Sequence, residues 1–409
     1  MNAGPFARDW LERRRPDLVA MVELLVNTES HAAQPDGVAK VASLVVRKLA
    51  ALGFTFTEIP PQPLPPSLDW LEELMSPGVP YHHLASSYSG TRRGERPGRL
   101  LLVGDLDTAF PHGSPTSRGF RVRGGKAFGP GIADMKGGLV VMVAALEALH
   151  HLGVELPEIA VVLSGDEQAG SLGSRQTVEQ ASVGADWCLG LECARQGGKL
   201  MSARGHIGVG RLTVEGRESH TGSAHAQGRN ALDALARLII GFNRLTNPED
   251  GTYITVTMAH GGRRRSVTPA HASAVVDIRT RGPRFWEDVV RRMQALATSV
   301  ETEAKVNVEL LAHNHRPGVR PDQGTYHLLS IAERVGEQLS FKIEAFESAA
   351  AGSVSFRKPG TATLDGLGPV GGGLMTSEEH IEIDSLVSRA ALLAGIISEL
   401  SLSKVAMAE

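Results

Sequence analysis

The chain has 409 residues, of which 42% are apolar and 21% charged, and a formal net charge of -3. That length exceeds one ordinary hydrophobic core and points to two domains. The composition is that of a soluble globular protein, and the balance of charge excludes a basic face for nucleic acid.

Only Cys188 and Cys193 occur. Two cysteines in so long a chain exclude a disulfide framework and suit a reducing compartment. Their C-x4-C spacing lacks the second pair a zinc ribbon needs. The N-terminus, MNAGPFARDW, has charges where a leader needs an apolar run, and no stretch of 18 apolar residues is evident. The expected location is therefore the cytoplasm, without a membrane span.

Residues 16–30 and 37–52 have the apolar spacing of helices, the second stopping at Gly53. The proline-rich stretch PPQPLPPSLDW (60–70) and the residues up to about 90 read as a loop or surface excursion. A buried strand comes next at RLLLVG (99–104) and runs into Asp105, Leu106 and Asp107. Residues 135–152 form a long apolar helix. A second strand, IAVVLSG (159–165), runs into Asp166, Glu167 and Gln168, and a third, WCLGLE (187–192), ends in Glu192. Strand–helix–strand order implies a mostly parallel sheet, which binds ligands at the carboxyl ends of its strands. Asp105, Asp107, Glu167 and Glu192 are thus expected around one crevice.

Beyond residue 200 the pattern changes. GRLTVEG (210–216) and SAVVDIRT (273–280) alternate with period two, as half-buried strands do. With strands at 252–259 and 306–311 and helices at 229–245 and 284–304, they make a strand–helix–strand–strand–helix–strand unit, an α+β module of ferredoxin-like order. After residue 314 the earlier pattern resumes. The expected fold is an α/β domain (1–199 and 315–409) with an inserted α+β lid or dimerisation domain (200–314).

Five segments now carry a resemblance: LLVGDLDTAFP (101–111), GPGIADMKGG (129–138), SGDEQAGSLGS (164–174), GRESHTG (216–222) and LDGLGPVGGGLMTSEEHIE (364–382). In this order they resemble the two-zinc carboxypeptidase, deacylase and aminoacylase family. The resemblance implies a zinc-exopeptidase-like mostly parallel sheet flanked by helices. It also implies two zinc ions sharing one carboxylate and a general-base glutamate acting on a bridging water. Asp107 matches the family's orienting aspartate, Asp134 its bridging carboxylate, Glu167 its base and Glu192 one of its ligands. Three ligand positions differ. Asp105 stands for a histidine, Gln168 for a glutamate and Met375 for a histidine. Gln168 and Met375 leave one metal position without suitable donors, because a thioether is a soft ligand. Asp105, Asp134 and Glu192 make the other an all-carboxylate set, suited to Mg, Ca or Mn rather than zinc. The expectation is no metal or a single divalent cation, and not a two-zinc centre. Without a cation, carboxylates so crowded must have raised pKa values.

On the substrate side, the resemblance gives His220 the role of polarising the scissile carbonyl and Arg279 that of holding a substrate carboxylate. The family's asparagine and lysine contacts fall on Ser266 and Gly205. Gly371, Gly372 and Gly373 can present backbone N–H groups to a carboxylate or form a tight turn. His82, His83, His150, His151, His380 and the runs Arg13–Arg15 and Arg263–Arg265 read as packing or solvated surface. The implied partners are a small-molecule substrate bearing a carboxylate and a second copy of the chain, joined through the inserted domain. The activity implied is hydrolysis of an acyl-amino acid or peptide amide. A cyclase, lyase or acyl transferase, or a non-catalytic carboxylate-binding protein, are the alternatives.

Overall fold

A computed structural model describes residues 3–62, 64, 66–75 and 81–403. The chain divides into two compact units, one of residues 1–202, 321–347 and 352–409 and one of residues 203–320 and 348–351.

The first unit is built on a six-stranded sheet in the order Thr55–Ile59, Ser87–Arg92, Glu158–Ser164, Arg99–Asp105, Trp187–Gly190 and Ala362–Leu364. The last four strands run parallel, and the first two are antiparallel additions at one edge. The parallel strands are apolar throughout because both faces are covered. Helix Gly137–His151 is buried around nearly its whole circumference and packs with helix Ile383–Ser403. The stretch 383–402 is long and apolar enough, by composition, to cross a membrane. However, 83% of it is buried inside the unit, as befits a core helix. It revises the expectation that no stretch reaches that length.

The excursion from 60 to 90 is more ordered than its prolines suggest. It contains helix Asp69–Met75 and ends in strand Ser87–Arg92, while residues 63, 65 and 76–80 lie outside the described residues. Helix Gly4–Glu12 and strand Thr55–Ile59 are further elements that the spacing did not mark. Cys188 and Cys193 are free and buried, and burial pushes both thiols up to about 12.

The second unit is a four-stranded antiparallel sheet in the order Tyr253–Gly261, His271–Thr280, His206–Glu215 and Asn307–Arg316. Helices Ala231–Asn243 and Pro283–Ala304 pack with it. Strand His271–Thr280 alternates between buried and more exposed positions, with Ala272, Ala274, Val276 and Ile278 in the core. That is the period-two pattern of a sheet with one covered face.

One close approach in the first unit sets the site. Helix Gly137–His151 begins so near the strand that leads to Glu192 that a Cβ on Gly138 would lie 2.0 Å from the Leu191 carbonyl oxygen. Only a glycine lets the start of this helix come so close to the strand end. Gly138→Ala is expected to lower stability by about 1–3 kcal/mol, the usual cost of overpacking. A urea midpoint equal to wild type would contradict this approach.

Candidate functional site

The carboxyl ends of the parallel strands bring together the acidic residues that the strand pattern singled out. Asp105 ends one strand opposite Ser164 of its neighbour. Two residues on, the Asp107 carboxylate is fully buried. Its Oδ1 accepts the Glu167 N–H at 3.0 Å and its Oδ2 accepts the Gln168 N–H at 2.8 Å. The turn that carries Glu167 is thereby tied to the end of the adjacent strand. Asp166 has a separate, structural task. It accepts the N–H groups of Gly173 (2.6 Å) and Ser174 (3.2 Å) at the start of helix Ser174–Ala181.

Asp134 lies in the irregular turn Ile132–Lys136, and its peptide bond to Met135 is cis. Its Oδ1 accepts the Gln168 side-chain amide at 3.1 Å. Asp105 accepts the hydroxyl of Ser353 at 2.6 Å. Burial, first, and then the nearby Glu167 and Glu192 hold the Asp105 carboxyl well above the ordinary range. Burial, followed by Glu167 and Asp166, does the same to Asp107.

Glu379 lies within the last of the five matching segments, but its spacing alone assigned it no role. It is buried, and its Oε1 accepts the N–H groups of Ala133 (2.9 Å) and Asp134 (3.2 Å), while Oε2 accepts that of Met375 (3.0 Å). One carboxylate thus joins the Asp134 turn to the Met375 turn, although Asp134 and Glu379 are 245 residues apart in sequence. Burial pushes Glu379 up to about 7. It pushes the nearby Lys136 ammonium down to about 7, against the charges of Glu29, Glu379 and Asp107, and Lys136 Nζ donates to the Thr28 carbonyl at 2.8 Å.

Other expected residues are placed differently. Met375 has positive φ and a side chain largely in solvent, 58% exposed. The N–H of Gly371 is already donated to the Ala194 carbonyl, so it does not await a substrate carboxylate. Gly371 and Gly372 pair with strand His380–Glu382, and Gly373 turns with φ +66°. The glycine run is first of all a turn. In the second unit, Arg279 closes a two-pronged ion pair on Asp277, with Nε–Oδ1 at 2.7 Å and Nη2–Oδ2 at 2.9 Å. The edge of the guanidinium that best matches a carboxylate is therefore occupied. His220 is exposed, and its Nδ1 accepts the N–H groups of Gly222 (3.1 Å) and Ser223 (3.2 Å). An accepting Nδ1 puts the proton of the neutral ring on Nε2.

The family model for peptidase family M20/M25/M40 matches residues 101–399. The chain belongs to this peptidase family. Among its relatives, carboxypeptidase G2 of a Pseudomonas species is 25% identical over 395 residues, covering 95% of this chain and 91% of that protein. Succinyl-diaminopimelate desuccinylase of Xanthomonas euvesicatoria is 27% identical over 328 residues, covering 74% and 83%. The crystal structure of aminopeptidase PepT from Bacillus cereus superposes with a TM-score of 0.76 at 19% identity, covering 94% of this chain and 98% of that one. These place the chain among amide-bond hydrolases with a mixed α/β fold.

The family implies metal ions, and the side chains here do not fit a two-zinc centre. Among the described residues, no group of three or more His, Cys, Asp and Glu side chains gathers in a way that could hold a metal ion. Asp105, Asp134 and Glu192, the expected cation set, have other surroundings in this fold. Asp105 is engaged by a hydroxyl, Asp134 by an amide, and Glu192 is half-buried at the end of its strand.

The folded Asp105 carboxyl, raised by burial and by Glu167 and Glu192, binds its proton more tightly than the unfolded chain does, which releases it near pH 4. The stability linked to it is complete below that pH and is lost as pH rises through the raised folded value. Asp105→Asn removes this loss. Its melting temperature should exceed wild type at pH 8 by roughly 1–2 °C for each kcal/mol regained, and the gap should close near pH 4. An equal gap at both pH values contradicts the assignment. Glu379→Ala strands three N–H groups and should cost about 3 kcal/mol in urea unfolding, with Glu379→Gln costing less.

Proposed function

We propose that this protein hydrolyses the amide bond of an acyl-amino acid or peptide bearing a carboxylate, from a site whose metal positions are altered from the two-zinc arrangement. The observation that carries the reading is the Asp107 carboxylate on the N–H groups of Glu167 and Gln168, which sets Glu167 at the strand end as a buried base.

In this reading Glu167 takes a proton from the attacking water and returns it to the leaving nitrogen. Asp107 positions the turn through its two accepted N–H groups, and burial, Glu167 and Asp166 raise its carboxyl well above the ordinary range. His220 reaches the active site of a second copy of the chain, where it donates from Nε2 to the scissile carbonyl oxygen and stabilises the charge that develops there. Arg279 anchors the substrate carboxylate through the side of its guanidinium that Asp277 leaves open. The N–H groups of Gly372 and Gly373 offer a second anchor. We further propose a homodimer formed through residues 200–314. The two buried, unpaired thiols support a cytoplasmic location.

The test is a panel of N-acyl-amino acids and dipeptides assayed for release of free amine. Wild type is expected to hydrolyse at least one. Glu167→Gln should lower kcat by about 10²–10⁴-fold with little change in KM. His220→Ala should lower kcat by about 10²–10³-fold. The absence of hydrolysis across the panel, or a Glu167→Gln enzyme as fast as wild type, overturns the proposal. Acyl transfer without net hydrolysis would do the same.

A further inference from the structure

Metal ions in a carboxylate-lined crevice have two physical effects. They cancel negative charge, and they occupy oxygen lone pairs that would otherwise lack a partner. A site that has lost its metal-binding donors must meet both needs in another way, or its buried carboxylates are left uncompensated. Here the second need is met by uncharged side chains of the chain itself.

Ser353 begins the short buried turn Ser353–Phe356. Its hydroxyl donates to Asp105 Oδ1 at 2.6 Å and lies 3.5 Å from the hydroxyl of Ser164, the residue opposite Asp105 in the sheet. Asp105, Ser164 and Ser353 are all buried. At Asp134 the donor is Gln168. Its side-chain amide reaches Oδ1 at 3.1 Å, and its backbone N–H is held by Asp107 at 2.8 Å, so the side chain starts from an anchored point. In both cases a polar hydrogen lies on one oxygen of the carboxylate, where it competes with a cation for that lone pair. A hydroxyl or amide hydrogen in that position repels a cation and attracts the oxygen. The two donors come from different segments, one 248 residues from its acceptor and the other 34.

We propose that Ser353 and Gln168 take the place of the family's metal ions, their hydrogens satisfying Asp105 and Asp134, so that the site takes up no divalent cation. The inference rests on the altered metal positions described above, but it is separable from the activity proposed for the site. Ser353 and Gln168 are positioning residues. They hold the two carboxylates in place around Glu167 without the attraction a cation would supply.

The test uses the full-length protein, stripped with chelator, and reads metal binding directly. Zinc and manganese chlorides are titrated by calorimetry, and retained metal is measured by mass spectrometry after desalting. Wild type is expected to give no saturable heat at micromolar metal and to retain less than about 0.1 metal per chain. The triple variant Asp105→His, Gln168→Glu, Met375→His should retain about two zinc ions per chain and bind them at least about 100-fold more tightly than wild type. Ser353→Ala combined with Gln168→Glu, which removes both neutral donors, should gain binding of about one manganese ion.

Stoichiometric metal in wild type, or hydrolysis lost on chelation and restored by zinc, overturns this inference and leaves the hydrolase reading standing. A metal-free wild type that hydrolyses nothing supports this inference and defeats the hydrolase reading. A triple variant with wild-type circular dichroism that takes up no zinc also overturns it, because other surroundings would then be what excludes the metal.

Discussion

Two hydrogen bonds to one buried carboxylate organise the site. Asp107 sits just past the end of strand Arg99–Asp105 and accepts the N–H groups of both Glu167 and Gln168. The turn after the neighbouring strand has no regular structure to hold it, so these two bonds decide where the Glu167 side chain begins. The same anchor directs Gln168 onto Asp134. Asp134 is in turn held from behind by Glu379, which also holds Met375. Each contact constrains the next, and the chain of contacts closes around the carboxyl ends of the parallel strands.

This arrangement is electrostatically expensive. Asp105 and Asp107 lie in a low-dielectric interior beside Glu167, with Glu192 also acting on Asp105, and so resist ionisation. Neutral hydrogen-bond donors satisfy their oxygens. Such a cluster is destabilising in isolation and persists because the surrounding core over-determines it. Helices Gly137–His151 and Ile383–Ser403 and the covered sheet supply that core. Arg389, on the second of these helices, is buried. It donates to the carbonyl oxygens of Gly198, Gly366 and Gly368 and so fixes the loops next to the glycine run.

The elements legible in the sequence are those whose pattern is local. Uninterrupted apolar runs mark the parallel strands at 99–105 and 158–164, because a strand covered on both faces tolerates nothing else. Period-two alternation marks strand His271–Thr280, because its sheet has one covered face. Strands Thr55–Ile59 and Ser87–Arg92 escape notice for a related reason. They are edge additions with mixed burial, and neither pattern applies to them. The prolines from 60 to 66 also hide the short helix Asp69–Met75 and the strand beyond it.

Which residue types stand at the strand ends is a matter of sequence alone. From it come the acidity of the site and the presence of Asp105, Gln168 and Met375 at three of the positions that the resemblance singles out. Side-chain chemistry and order along the chain are enough for that. The partner that each group takes depends instead on the tertiary fold. Ser353 reaches Asp105, Glu379 joins two distant turns, Asp277 fills the fork of Arg279, and Gly371 gives its N–H to Ala194. Hydrogen bonds act over about 3 Å and are indifferent to separation along the chain. The partner of a buried polar group therefore becomes visible only once the fold has brought it within reach.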